Sequence, residues 1–190
     1  MESIATIHQN LKISTTAEEQ ELIRGSLAGD ERTQYRLYRK YVRAMYHTIL
    51  RMVGRSADAE DLTQEVFAKV FSKLDSFNGE ATLGAWIKKI AIHVSLNFLR
   101  RERQIRWIDL EEHLDISVET EPFPETDIRY SLERIHEAIK NLPDGCRVVF
   151  NLYLLEGYQH QEIAEILGIT TSTSKTQYRR ARQILKEILG

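Results

Sequence analysis

Apolar residues in this chain recur at intervals of three and four, and no sustained run alternates with polar residues as a half-buried strand requires. A chain patterned this way buries stripes on helices rather than faces of a sheet, so the expected fold is all-α. Three prolines and nine glycines in 190 residues suit that expectation. The stripe Tyr38, Tyr41, Val42, Met45, Ile49, Met52, Val53 predicts a long helix over about 31–53, with Gly54 as its stop. Before it, Thr16 and Glu19 have capping-box spacing for a helix ending near Leu27, and Gly29-Asp30 breaks that helix and caps the next. Asp58 is expected to cap a helix carrying Leu62, Val66, Val70 and Leu74, and 77–82 reads as a loop. A further helix over about 83–103 should turn Ile87, Ile90, Ala91, Val94 and Phe98 inward.

Residues 105–127 break the pattern. They are acidic, contain Pro122 and Pro124, lack a clean stripe, and read as a flexible linker. Helices resume over about 131–142 and, after the turn Pro143-Asp144-Gly145, over about 146–155. Next comes a short helix with Ile163, Ala164, Ile166 and Leu167 on one side, ended by Gly168. A hydroxyl-rich cap leads into a last helix carrying Lys175, Arg179, Arg180, Arg182 and Lys186 against Glu187 alone. Two helices joined by a glycine turn, the second basic, follow the helix-turn-helix plan, whose second helix enters the DNA major groove. The expected organisation is a leader 1–17, a helical domain 18–104, an acidic linker 105–127, and a small helix-turn-helix domain 128–190.

The net charge of −2 argues against a nucleic-acid binder, but its distribution reverses the argument. From 86 to 107 the cations Lys88, Lys89, Arg100, Arg101, Arg103 and Arg106 face one acid, Glu102, whereas 108–127 holds eight acids and no Lys or Arg. Cys146 is the sole cysteine, so no intramolecular disulfide can form. Beside Val148, Val149 and Phe150 it reads as a small buried hydrophobe, with a redox switch as the alternative. No signal peptide and no apolar run of membrane length are present, which predicts a cytoplasmic protein without membrane insertion. The six histidines are scattered, no His or Cys pair has metal spacing, and neither a phosphate-cradling loop nor a nucleophile elbow occurs. No cofactor, metal or catalytic residue is expected.

Two constellations carry the functional reading besides the terminal helix pair. Asp58, Asp61 and Glu65 lie at i, i+3 and i+7 with Gln64 adjacent, an acidic face suited to a basic partner or simply to the helix dipole. Trp86, Lys89, His93, Asn97 and Arg100 share a second helix face, where cations can hold phosphates and Trp86 can stack on a base or anchor the core. The polar loop Asn78, Gly79, Glu80, Ala81 before it could pocket an unstacked base. In the last helix, Thr173, Thr176 and Gln177 add short polar groups of the kind that read base edges.

Taken in order, these pieces resemble bacterial RNA polymerase sigma factors of the sigma-70 family, and more narrowly the extracytoplasmic-function (ECF) group. The stretch 58–67 is similar to the family's most characteristic segment, which binds the clamp of the polymerase's largest subunit. The resemblance gives that role to Asp58, Asp61, Leu62, Gln64 and Glu65. The stretch 77–101 looks like the part that opens the minus-ten element, with Asn78 to Ala81 at a flipped base. The stretch 155–182 resembles the domain that reads the minus-thirty-five element, which points to Thr173, Lys175, Thr176, Gln177, Arg179 and Arg180. The same resemblance implies contact with the flap of the second-largest subunit, passage of the acidic linker through the polymerase cleft, and an anti-sigma factor as a further partner. Ser174 stands where the family often has valine, so inward packing of the last helix is expected either to be looser or to lean on Tyr178. Arg179 stands at a position often apolar or aromatic. Two other readings remain at this point: a regulator that binds an operator without polymerase, and an adaptor that uses the acidic helix.

Overall fold

The computed structural model describes residues 15–103 and 132–190. The linker expected at 105–127 and most of the leader lie outside the described residues. Eight α-helices and no strand occur among the described residues, and the chain divides into two compact units, Met1–Glu102 and Arg103–Gly190.

In the first unit, α1 spans Ala17–Leu27. Its start is a capping box: Thr16 Oγ1 accepts from the Glu19 backbone N–H at 3.2 Å, and Glu19 Oε2 accepts from the Thr16 N–H at 3.0 Å. Glu19 is buried and also accepts from the Tyr41 hydroxyl at 2.6 Å. Burial pushes its carboxyl up, but the Tyr41 and Thr16 hydrogen bonds outweigh that and hold it below the usual range. Gly29 turns the chain at φ +77, and Asp30 caps α2, Glu31–Val53. Gly54, at φ +80, closes α2 in the left-handed conformation that a residue with a Cβ resists.

Helix α3 spans Ser56–Lys73 and runs into a 3₁₀ turn, Leu74–Ser76. Asp58 does not cap it. The chain is already extended at Arg55, so the helix begins at Ser56; Asp58 falls in the first turn, 3.7 Å from the Arg55 guanidinium. Helix α4, Leu83–Arg103, is capped by Thr82, whose Oγ1 accepts from the Ala85 N–H at 3.2 Å.

Helix α2 packs on α1 and α3. The core takes Leu37, Met45, Ile49, Met52 and Val53 from α2 and Leu62, Val66, Phe67 and Val70 from α3. Each large side chain buried here contributes roughly 1.5–3 kcal/mol. In α4 a broader arc is buried than one stripe: Ile92, Leu96 and Leu99 are inside with Ile87, Ala91 and Val94, while Ile90 and Phe98 sit at its edge. From Lys89 to Arg100 the fully exposed residues of α4 are the polar Lys89, His93, Asn97 and Arg100.

The second unit contains α5 (Leu132–Lys140), α6 (Asp144–Phe150), α7 (His160–Leu167) and α8 (Thr171–Leu189). Helix α6 begins at Asp144, because Pro143 supplies the cap position, and it continues into a π-helical turn, Asn151–Leu155. Arg147 is buried; it pairs with Asp144 and donates to the carbonyls of Lys140 (3.1 Å) and Leu142 (2.9 Å), tying the end of α5 to α6. Ala138, Ile139, Leu142, Cys146, Phe150, Ala181 and Leu185 form the core, so α8 is packed along much of its length. Among the described residues no helix is long and apolar enough to cross a membrane.

Candidate partner and nucleic-acid interfaces

The acidic face of α3 is real but uneven. Asp61 and Gln64 are exposed. Glu65 is exposed as well and holds Lys69 at 2.6 Å, an i,i+4 pair of small net worth. The Asp58 side chain is only 16% exposed. Leu62 departs from the rest of that set: at 4% exposure it belongs to the core. It lies one turn before Val66, on the side that packs, and its contribution is to hold the acidic face in place. Beside that face a shallow cavity of about 300 Å³ is lined by Tyr38, Val42, Arg43, Tyr46, Glu60, Thr63 and Gln64. Gln64 therefore belongs both to the acidic face and to an aromatic-walled groove.

The loop before α4 is prearranged. Asn78 Oδ1 accepts from the Glu80 N–H at 3.2 Å, an Asx turn, and Gly79 takes φ +72. Gly79 is buried, while Asn78, Glu80 and Ala81 are exposed. Lys89, His93, Asn97 and Arg100 are all exposed along one strip of α4. Trp86 is half-buried and meets Phe77 edge-on at 5.5 Å between ring centroids. It anchors the loop from beneath while leaving part of its ring to solvent.

In the helix-turn-helix, Gly168 closes α7 at φ +69, and the Thr170 side chain caps α8 by accepting from the Thr173 N–H at 3.0 Å. Two residues expected to read bases turn inward. Thr173 is buried against Thr170. Gln177, 4% exposed, spends its Oε1 on the Cys146 thiol at 3.1 Å. Both lie on the side of α8 that packs on α6 and α7, and a mixed polar sequence concealed this. Lys175, Arg179 and Arg180 are exposed and Thr176 is half-exposed. Burial raises the Cys146 thiol above its usual range, the Arg180 charge only partly opposing it, so the thiol is held unreactive.

Ser174 is fully buried and is satisfied rather than loose: its Oγ lies 2.9 Å from His160 Nδ1, across the turn. His160 stacks on Tyr153 at 4.3 Å, and Tyr178 packs edge-on to His160 and against Phe150 and Tyr153. The reliance on Tyr178 is met by a whole aromatic cluster. Burial, then the charge of Lys175, lowers the His160 pKa below its usual value, so the ring is neutral in the fold near pH 7.

One charged surface escaped the reading of the sequence. Helix α2 carries Arg32, Arg36, Arg39, Lys40, Arg43 and Arg51, with no Asp or Glu from 32 to 53. Its apolar stripe drew attention to the packed face, but counting charges along the opposite face would have found it.

The chain matches two family models in order: sigma-70 region 2 over residues 37–105 and sigma-70 region 4 over residues 132–185. It is 31% identical to the ECF RNA polymerase sigma factor SigE of Mycolicibacterium smegmatis over 157 residues, covering 81% of this chain and 60% of that protein. With the ECF RNA polymerase sigma factor SigW of Bacillus subtilis it shares 31% identity over 159 residues, 78% of this chain and 84% of the relative. Among solved structures, it is similar to the sigma factor RpoE from Bartonella quintana, determined in complex with the anti-sigma factor NepR, with a TM-score of 0.53 and 25% identity over 82% of this chain and 95% of that one. On the strength of both family regions and relatives of this identity, the chain belongs to the ECF group of sigma-70 family RNA polymerase sigma factors.

Proposed function

We propose that this chain is a dissociable promoter-specificity subunit that binds core RNA polymerase and directs initiation. The observation that carries the reading is the order of the two matched regions, the first lying almost wholly in the first compact unit and the second within the second. The acidic face of α3, through Asp61, Gln64 and Glu65, docks the clamp of the largest polymerase subunit, and the second unit engages the flap of the second-largest. The 78–81 loop and the Lys89, His93, Asn97, Arg100 strip capture the opened minus-ten region, with Trp86 as a stacking platform. Lys175, Thr176, Arg179 and Arg180 meet the minus-thirty-five element.

Labour is divided between charge and shape. Cations on phosphates provide salt-sensitive affinity, and each good base contact adds about 1–3 kcal/mol of discrimination. Opening the duplex costs a few kcal/mol per unstacked base, offset by capturing the base that leaves the stack. The bond-making chemistry belongs to polymerase, and this chain adds no catalytic group. An anti-sigma factor is a further proposed partner, supported by the complex in which the Bartonella quintana sigma factor was solved. The setting of this work is the cytoplasm.

The test is transcription in vitro with core polymerase on a fragmented genomic library, with start sites sequenced. Start sites absent with core alone are expected. A chain that instead binds duplex operator tightly without polymerase, in a gel shift, would be an ordinary helix-turn-helix regulator.

A further inference from the structure

Helix α2 buries Leu37, Met45, Ile49 and Met52 on one side. Directly opposite, Arg32, Arg36, Arg39 and Arg43 follow one another at steps of four, three and four residues, all exposed. Arg32 to Arg43 is 11 residues, or about 16 Å along the helix axis. Arg36 is engaged by Glu21 at 2.8 Å. Arg32, Arg39 and Arg43 make no ion pair among the described residues. Carboxylates do approach the ridge: the Asp30 cap stands near Arg32, and Glu60 shares a groove with Arg43. A solvated helix face normally mixes signs, and here the helix supplies one acid, Glu31 in its first turn, and none from 32 to 53.

The ridge is also aromatic. Tyr35 is 60% exposed, and the Arg39 guanidinium lies over its ring at 5.9 Å from the centroid. Tyr46 lies further along the same flank, on the wall of the groove that Arg43 lines. A large ring left in water beside guanidinium groups is the combination that holds unpaired nucleic acid: cations track the backbone and the ring offers a face to a base. An acidic protein partner would use the charges but would leave Tyr35 without a role.

We infer that the Arg32–Tyr35–Arg39–Arg43 ridge of α2 is a second DNA-binding surface, one that takes the backbone of single-stranded DNA without reading its sequence. The origin of that strand rests on the proposed promoter melting, but the binding itself does not. The ridge lies on a different helix from the α4 strip and the 78–81 loop.

The experiment is fluorescence anisotropy of the full-length chain with a labelled oligothymidylate and with a mixed-sequence duplex of equal length, over a series of salt concentrations. Replacing Arg32, Arg39 and Arg43 together by Ala should weaken single-strand binding at least about tenfold. It should also reduce the log–log salt slope by about 2, three phosphate contacts at about 0.7 each. Duplex binding should change less than about twofold. Replacing the same three residues by Lys should keep the slope, because a point charge suffices for a phosphate. Tyr35→Ala should weaken single-strand binding roughly fivefold or more. All of these residues are exposed, and circular dichroism should confirm that the variants stay folded. An unchanged slope in the alanine variant, an equal loss on duplex, or no single-strand binding by the unaltered chain overturns the inference. New start sites together with an unchanged slope remove the ridge alone. A lost slope without new start sites removes the promoter reading alone.

Discussion

Asp61 is the residue on which the polymerase-docking proposal turns, because it is exposed at the centre of the acidic face. Asp61→Arg places a cation where a basic partner must approach, and its exposure means that the fold should tolerate the change. Loss of core-polymerase retention in a pull-down, with an unchanged thermal midpoint, is the expected result; retention at wild-type level contradicts the docking role. His160 gives a pH-dependent expectation. Its folded pKa lies below the ordinary value of 6.5, so the unfolded chain binds the proton more readily. Stability is therefore complete above about pH 6.5 and falls as the pH drops from there toward the depressed folded value. His160→Gln should flatten that fall in denaturant melts between pH 7.5 and 5.5, conditions set here as roughly one unit either side of the transition. Leu62, given a partner role by resemblance although its spacing placed it in the apolar stripe, and Thr173 and Gln177, expected to read bases, are all buried in the fold. For Thr173 and Gln177 the polar sequence left the packed side open, and only the neighbouring helices settle the direction.

At the scale of elements, the helix ends were legible because their chemistry is local. A Thr with a Glu three residues on, an Asp before a helix, and a glycine after one act within a single turn, so the bounds of α1 and α2 follow from the chain itself. Asp58 shows the limit: an acid in the first turn and a cap look alike in sequence, and the extended backbone at Arg55 discriminates between them. The close crossing of α1 and α2 was not legible. A Cβ on Gly25 would stand 2.6 Å from Thr33 Cγ2 and 2.8 Å from Thr33 Cβ. Alanine at that position gains about 1 kcal/mol of helix propensity, but overpacking costs about 1–3 kcal/mol, and contact with Cβ leaves no flexible end to swing aside. Gly25→Ala should therefore lower the urea midpoint of the first unit; a higher midpoint would mean the helices separate at little cost.

The whole molecule is nearly neutral, yet its charges are sorted into surfaces, and promoter binding should report this. Lys175→Ala with Arg179→Ala should reduce transcription from promoters that carry an upstream element and lower the salt slope of promoter binding by the polymerase complex by about 1.8, two duplex phosphate contacts at about 0.9 each. Equal transcription from such promoters by the variant and the unaltered chain would remove the recognition role from α8. The family, the all-helical class and the exposed acidic and basic residues were readable in the sequence, since periodicity, capping and charge order are properties of the chain before it packs. The inward turn of Gln177 onto Cys146, the His160–Ser174 link across the helix-turn-helix and the placing of Tyr35 beneath the Arg39 guanidinium came only from the tertiary structure. Burial and exposure of a polar side chain are set by what lies against it, and that neighbour is often tens of residues away in the chain.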